Sequence, residues 1–187
     1  MAKKITYMKK IIFSLFLTLS AVSLTAADMK DVFSAMPDSV LPTLTRNNRL
    51  DMIDFVSSGM KAVVNDVFNE KSTLDTLTAD YLHITLSEAV KVEMKLLPSS
   101  RQLVDSAEQV VCMVMTYGTK PIESKAQLFT SKWTPLSSPI PSCGNQTATL
   151  SIASDTLSLE VTSRNEENKE EKQLTTLKWN GIAFNKD

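Results

Sequence analysis

The feature that most constrains the fold is a pair of alternating runs near the middle of the chain. Apolar and polar residues alternate over residues 81–87 and again over 90–96, and only Glu88 and Ala89 separate the two runs. Such alternation is typical of strands with one buried face, and the short connection predicts an antiparallel hairpin. Residues 110–115 are apolar throughout, which predicts a strand covered on both faces. We therefore expect an antiparallel sheet with a buried centre.

Shorter signals extend this sheet toward the C-terminus. Residues 180–181 are Asn-Gly, a pair that tolerates positive φ and predicts a type I′ hairpin turn. Residues 164–172 are charged or polar and contain no apolar side chain, which indicates a solvated loop. Further strands are predicted at residues 63–68, 126–133, 147–152, 157–161, 174–179 and 182–184.

Helical patterns precede the strands. Residues 28–36 form a short amphipathic segment that ends at Pro37, a residue that cannot continue a helix. Asn47 or Asn48 is suited to cap a longer helix, and Gly59 is suited to end it. Because helices come before consecutive hairpins, we expect an α+β fold in which N-terminal helices pack on a mostly antiparallel sheet.

The first 27 residues have the features of a signal peptide. Lysines precede residues 11–24, a mostly apolar run without charge that ends shortly before Ala27. The run is shorter than the roughly 20 residues that a membrane-spanning helix needs, and small residues precede Asp28 as at a signal-peptidase site. We predict cleavage after Ala27, which leaves residues 28–187 as a single domain. The product is expected to be soluble in the periplasm or secreted from a Gram-negative cell, with no membrane span. The alternative is a buried N-terminal helix.

The composition excludes several classes of function. Four of the 20 basic residues lie in the signal segment, so 16 remain against 21 acidic residues, and the body has a net charge of about −5. This balance argues against nucleic-acid binding, which needs a basic surface. The four glycines are scattered, which excludes glycine-rich phosphate-binding loops. One histidine and two cysteines leave little material for a metal site, and no cofactor is expected.

The two cysteines, Cys112 and Cys143, leave two interpretations open. Thiols of exported proteins usually pair. A disulfide between these two would close a loop of about 30 residues, worth ~3.7 kcal/mol in the chain-entropy model. Alternatively both stay unpaired, with Cys112 serving as a small core residue in its apolar run.

Five segments carry a resemblance to a known family: residues 36–42, 47–55, 87–88, 93–98 and the Trp-Asn-Gly sequence at 179–181. They resemble an uncharacterised family of secreted Bacteroidales proteins, a domain of unknown function. The resemblance spans most of residues 28–184 and implies export and a single domain, but no reaction, cofactor or catalytic residue. In outline, the order of helices and strands is also similar to beta-lactamase inhibitor protein and PepSY-type periplasmic modules. This likeness concerns architecture, which does not determine function.

No group of residues has the pattern of a catalytic site. His83 is the single imidazole, and on the polar side of a strand its near neighbour Asp80 falls on the opposite face. Asp51 and Asp54 share a helix face, where a solvated surface is a simpler interpretation than acid–base catalysis or calcium binding. We therefore assign no catalytic, cofactor-binding or metal-binding residue.

Four short segments contain an Asp followed by a hydroxyl residue and an apolar residue. This pattern resembles the O-glycosylation site of the same bacterial group, and its hydroxyl residues are Ser39, Thr76, Ser106 and Thr156. The alternative is that the Asp-Ser and Asp-Thr pairs act as caps and turns.

Trp133 and Trp179, at predicted strand ends, are the candidates for an apolar interaction surface. The sequence favours a non-enzymatic binding or interaction module of the cell envelope, whose partner is an envelope protein or a small ligand. The alternative is a small periplasmic hydrolase whose carboxylates converge only in the fold. Nothing in the sequence indicates an oligomeric state.

Overall fold

Two short helices and two antiparallel sheets make up the part of the chain that the computed structural model describes. That part comprises residues 27–100, 103, 109–119, 122–137, 146–164 and 170–186. The helices are α1 (Met29–Ser34) and α2 (Arg46–Ser57). The strands are β1 (Ala62–Asn65), β2 (Lys71–Leu77), β3 (Tyr81–Ser87), β4 (Val90–Pro98), β5 (Gln109–Tyr117), β6 (Glu123–Thr130), β7 (Pro135–Leu136), β8 (Gln146–Leu150), β9 (Thr156–Arg164), β10 (Glu170–Trp179) and β11 (Phe184–Lys186).

The strands of each sheet pair with their neighbours in the chain. Strands β1 to β7 form a seven-stranded sheet in chain order, and β8 to β11 form a four-stranded sheet in the same way. All of these pairs are antiparallel, so the predicted sheet of consecutive hairpins is confirmed. The helices are few and short, so the predicted α+β class is confirmed only in part, and the fold is sheet-rich.

The centre of the seven-stranded sheet is buried on both faces. Along β5, Val111 and Met113 belong to a core shared with the helices, whereas Val110, Cys112 and Val114 belong to a core shared with the four-stranded sheet. This explains why residues 110–115 are apolar throughout. The layers are therefore helices, seven-stranded sheet and four-stranded sheet. Each fully buried large apolar side chain in these cores contributes roughly 1.5–3 kcal/mol.

Helix α2 begins at a different cap from the one that the sequence suggested. The Thr45 hydroxyl accepts a hydrogen bond from Asn48 N at 3.2 Å, and Asn48 Oδ1 accepts one from Thr45 N at 3.1 Å. This reciprocal capping box satisfies two amides at the start of the helix. The prediction of Asn47 or Asn48 as the cap was wrong, because Asn48 is the partner side chain three residues inside the cap.

Several strand predictions need correction. The hairpin of β3 and β4 and the buried strand β5 are confirmed. Strand β2 was not predicted, because only two of its seven residues are apolar. The solvated loop expected at residues 164–172 is partly strand, since β9 extends to Arg164 and β10 begins at Glu170. Residues 165–169 lie outside the described residues.

The connection after β10 is not a type I′ turn. Gly181 has a φ of +95°, but Asn180 does not adopt positive φ. Asn180 Oδ1 instead accepts hydrogen bonds from the backbone N–H groups of Ile182 and Ala183, both at 2.9 Å. The Asn side chain therefore closes a longer connection between β10 and β11 by mimicking a backbone turn.

Candidate functional site

A groove of about 450 Å³ lies on the helix side of the seven-stranded sheet. Its floor consists of β5 and β6, one wall is the linker between α1 and α2, and the other wall is the turn after β6. The apolar lining residues are Val40, Met113, Met115, Tyr117, Phe129 and Trp133, with Pro37 and Pro135 at the walls. The polar lining residues are Ser39, Lys125 and Gln127.

Strand alternation brings the floor residues to one face of the sheet. On β5 the residues Met113, Met115 and Tyr117 are two positions apart, as are Lys125 and Gln127 on β6. The antiparallel register places Met113 opposite Gln127 and Met115 opposite Lys125. Cβ atoms of directly opposite residues are about 4.5–5.5 Å apart, so each thioether lies beside a polar side chain.

Trp133 forms one wall of the groove and is held from two sides. Its φ of +64° lies in the left-handed region, a conformation that costs on the order of 1–3 kcal/mol for a bulky residue. Indole Nε1 donates a hydrogen bond to Val32 O at 2.9 Å, and the ring centroid lies 5.3 Å from that of Phe129. These contacts offset the conformational cost. Trp133 is only 5% exposed, so it borders a surface rather than projecting from one.

The opposite wall is fixed by Arg49, which is fully buried. Its guanidinium donates hydrogen bonds to Phe33 O at 3.2 Å, to Leu44 O at 2.6 Å and to Met36 O. It also forms an ion pair with Asp38 at 2.9 Å. One side chain therefore connects the end of α1, the linker and the start of α2. The planar fork of arginine suits this task because it can reach several acceptors at once.

The groove has the composition of a binding site. Its volume falls within the roughly 300–1,000 Å³ of small-ligand pockets, and most of its described lining residues are apolar, with three polar side chains among them. Methionine side chains adapt to ligands of different shape and make favourable contacts with aromatic rings. Lys125 is the one charged side chain among the described residues that line the groove, so those residues supply no pair of groups for acid–base catalysis. No local sequence pattern predicts this groove, because the groove depends on strand register and on the path of the linker.

A second group of polar residues lies between the two sheets. The Tyr81 hydroxyl donates to Glu93 Oε1 at 2.7 Å, and Leu150 N donates to Glu93 Oε2 at 3.4 Å. Burial raises the pKa of Glu93 above its ordinary 4.5, and this effect outweighs those hydrogen bonds and the charges of His83 and Lys91. Burial, with the hydrogen bond to Glu93 and its charge, also raises the pKa of Tyr81, so the phenol stays protonated.

Lys95 joins the two sheets in the same region. It is only 2% exposed, and its ammonium lies 2.8 Å from Asp80 Oδ2 and donates to Ile152 O at 2.8 Å. Burial acts to raise the pKa of Asp80, but hydrogen bonds from Lys95 and Thr78 and the charge of Lys95 lower it below 3.8. Because Ile152 follows β8, these contacts connect the four-stranded sheet to β4.

His83 is half-buried on β3, with 26% of its side chain exposed. Its Nδ1 lies 3.2 Å from Asp75 Oδ2, and Thr85 Oγ1 donates to the same oxygen at 2.8 Å. Glu93 lies opposite His83 in the pairing of β3 with β4. Asp75 was not predicted as the partner of His83, because it lies on β2, a strand without a periodic apolar signal. The Thr85 hydroxyl bonds to Asp75, and no hydroxyl or thiol bonds to His83 within the described residues, so the cluster lacks an activated nucleophile there.

The remaining candidate residues are placed as follows. Asp51 and Asp54 are exposed, as predicted. Trp179 is 6% exposed, and its Nε1 donates to Pro98 O at 2.6 Å. Cys112 is buried in β5, whereas Cys143 lies outside the described residues.

The candidate glycosylation residues differ in exposure. Ser39 is exposed on the groove wall, and Thr76 and Thr156 are half-buried. Ser106 lies outside the described residues. A modifying enzyme would therefore meet Ser39 more readily than the two half-buried threonines.

Two further observations concern the described ranges alone. No helix in them is long and apolar enough to cross a membrane. No group of three or more His, Cys, Asp or Glu side chains in them is arranged to hold a metal ion.

Residues 21–142 match the family model described as "Protein of unknown function (DUF3256)". The chain belongs to this family. The DUF3256 match includes both helices, the whole seven-stranded sheet and every residue that lines the groove. The expected membership of an uncharacterised family is thereby confirmed. No curated protein matches the sequence.

One solved structure with a similar fold is a domain of an uncharacterized protein from Porphyromonas gingivalis W83. The TM-score is 0.68 with 22% sequence identity, over 87% of this chain and 99% of that chain. At this identity the similarity shows a shared fold alone. The likeness to beta-lactamase inhibitor protein and PepSY-type modules stays a prediction.

Proposed function

We propose that the protein is a non-enzymatic binding module of the cell envelope, and that its ligand is a small, largely apolar molecule that lies in the groove. The observation that carries this proposal is the groove itself, an open site of about 450 Å³ in which most of the described lining residues are apolar or aromatic. A second opening of about 420 Å³ lies on the four-stranded sheet, but Phe184 is the one aromatic residue among its described lining residues.

The groove borders are held before any ligand arrives. Arg49 fixes the linker wall, and the Val32 carbonyl together with the Phe129 ring fixes Trp133. A site with ordered walls loses little conformational entropy on binding, which supports affinity for a small ligand.

The envelope location is proposed from the sequence. Residues 1–27 would direct export and be removed, leaving residues 28–187 as one soluble domain in the periplasm or outside the cell. Two modifications belong to the same proposal: a disulfide between Cys112 and Cys143, and O-glycosylation of at least one of the four hydroxyl residues. Both are testable by intact mass and by non-reducing digestion of protein isolated from the envelope.

The groove is tested with N-phenyl-1-naphthylamine, a neutral probe whose fluorescence rises in apolar sites. We expect saturable binding to the purified protein and energy transfer from Trp133, measured in a Trp179→Phe variant that retains one indole. Ser39→Trp places a large side chain at an exposed wall position, so it should obstruct the groove without disturbing the core. It should weaken binding by about tenfold or more, a loss of about 1.4 kcal/mol.

Leu174→Glu is the matched control, because Leu174 is 65% exposed on the four-stranded sheet and does not line the groove. This variant should bind the probe like the wild type. Non-saturable binding, or equal weakening by Ser39→Trp and Leu174→Glu, would refute the proposed site.

A small hydrolase is the second candidate function. The observation that favours it is the placement of His83 beside Asp75 and opposite Glu93, which brings an imidazole and two carboxylates together on β2, β3 and β4. Its test is hydrolysis of p-nitrophenyl acetate by the wild type and by His83→Gln. A specific hydrolase should lose at least about a hundredfold in rate, as expected for removal of an acid–base group.

A further inference from the structure

The polar residues of the groove form one group on its floor and wall. Lys125 is exposed, lines the groove and lies opposite Met115 in the strand pairing. A lysine in such a position can lay its aliphatic stem along apolar surface and keep its ammonium in water. Gln127 lies two residues further along the same face and is half-buried. Ser39 faces them from the linker wall. The groove thus has an apolar interior and a mouth that carries an ammonium, an amide and a hydroxyl.

These three side chains are available to a ligand. Within the described residues, no ion pair to Lys125 and no side-chain hydrogen bond of Gln127 or Ser39 is formed. The nearest acidic candidates are engaged or lie apart from the lining. Asp38 pairs with Arg49 at 2.9 Å, and Glu123 shares the strand face of Lys125 but does not line the groove.

The charge at the groove is opposite to the charge of the protein. Residues 28–187 have a net charge of about −5, yet among the described residues that line the groove the one charged side chain is a lysine. An acidic protein repels anions in general. A lysine beside the apolar floor is therefore a local exception, and it provides charge complementarity for an anionic group.

The apolar part of the lining favours an aromatic ligand. Phe129 and Trp133 form one end of the groove, Tyr117 lies toward the other, and the thioethers of Met113 and Met115 lie between them. Aromatic rings gain from contacts with both thioethers and other rings. A volume of about 450 Å³ suits one molecule of this kind.

We propose that the ligand is a small aromatic acid, with its ring system on Met113, Met115 and Trp133 and its single anionic group at Lys125. This inference rests on the proposed function of the groove and specifies the chemical class of the ligand. Lys125 is then the residue that determines specificity for acids over neutral analogues.

The test compares two matched probes. N-phenyl-1-naphthylamine is neutral, and 8-anilinonaphthalene-1-sulfonate has the same ring system with one anionic group. We expect the anionic probe to bind more tightly at low ionic strength. Lys125→Gln should weaken the anionic probe about threefold to fivefold, as expected for an exposed charge pair, and leave the neutral probe unchanged. Added salt should reduce the difference between the probes in the wild type but not in the variant.

Lys178→Gln is the control for overall charge, since Lys178 is exposed on the four-stranded sheet and does not line the groove. It should leave the ratio of the two affinities unchanged. Because Lys125 is also exposed, both variants should retain the wild-type melting temperature.

The outcomes separate the two proposals. If the neutral probe binds in the groove but Lys125→Gln leaves the affinity ratio unchanged, the proposal of an acidic ligand is refuted. The proposed binding function of the groove is retained in that case. If neither probe binds in a manner sensitive to Ser39→Trp, the proposed function itself is refuted. Displacement of the anionic probe by 2-naphthoate supports an aromatic acid, whereas equal displacement by decanoate refutes the aromatic part of the inference.

Discussion

Replacement of Arg49 by methionine tests how the linker wall is held. The methionine side chain follows the aliphatic stem of arginine but removes every donor, so the carbonyls of Phe33, Met36 and Leu44 lose their bonds to the guanidinium. Phe33 O keeps a hydrogen bond from Met36 N at 3.3 Å. A buried acceptor left without any partner costs about 1–3 kcal/mol, and new apolar contacts of the methionine offset part of the total cost. We expect Arg49→Met to lower the free energy of unfolding by about 3–5 kcal/mol. This is a large fraction of the ~5–15 kcal/mol typical of a domain.

Asp38→Asn separates the ion pair from the carbonyl bonds. The Asp38 side chain is 58% exposed, so its charge is screened and its pairing with Arg49 contributes little. This variant should lower the free energy of unfolding by less than about 1 kcal/mol. Arg49→Lys should lower the free energy of unfolding by an amount between those of Asp38→Asn and Arg49→Met, because one ammonium cannot reach three separated carbonyls as the guanidinium fork does.

Urea unfolding followed by tryptophan fluorescence measures these differences. The slope with denaturant should stay unchanged, which would show that the compactness of the two states is the same. A cost for Asp38→Asn equal to that of Arg49→Met would show that the ion pair, and not the carbonyl bonds, holds the linker. A cost below about 1 kcal/mol for Arg49→Met would refute the assigned role altogether.

Three further predictions follow from the polar residues between the sheets and from the N-terminal segment. In urea unfolding, Lys95→Met should lower the free energy of unfolding less than Asp80→Asn does. Lys95→Met removes the buried charge, whereas Asp80→Asn leaves the buried ammonium without its carboxylate partner. The reverse order would contradict this account. The folded state holds the proton of Glu93 more tightly than the unfolded state does, so stability falls as pH rises from 4.5 through the folded pKa. Glu93→Gln should flatten this dependence, and an unchanged pH profile would exclude Glu93 as its source. The mass of protein isolated from the envelope should match a chain that starts at Asp28, plus any glycan, and a mass that retains residues 11–27 would disprove the cleavage.

The central strands could be predicted because each carries its own periodic signal. The runs that became β3 and β4 alternate strictly, and β5 is apolar throughout because both of its faces are covered. Strand β2 has no such signal, since its serine, threonines and charged residues outnumber its two leucines. Its position is determined by pairing with β1 and β3, which is tertiary information.

The candidate sites were harder to predict for a related reason. Arg49 occupies the buried face of α2 together with Met52 and Ile53, where a periodicity analysis expects an apolar residue. The partner of His83 was sought among neighbours in sequence, but Asp75 approaches from the adjacent strand. Contacts of this kind arise from strand register, and one sequence does not encode them as a local pattern.

The buried arginine and the groove are connected through the linker. Elsewhere in the described chain the layers pack on one another mainly through apolar contacts, which tolerate small shifts because they have no preferred direction. Hydrogen bonds from one guanidinium to three carbonyls have strict directions, so they fix the path of residues 36–44 far more narrowly than apolar packing would. That path places Pro37, Ser39 and Val40 against the groove. Because the wall position follows from Arg49 rather than from a ligand, the groove should keep its width when empty. Adaptation to different ligands then falls to the flexible side chains on its floor, Met115 and Lys125.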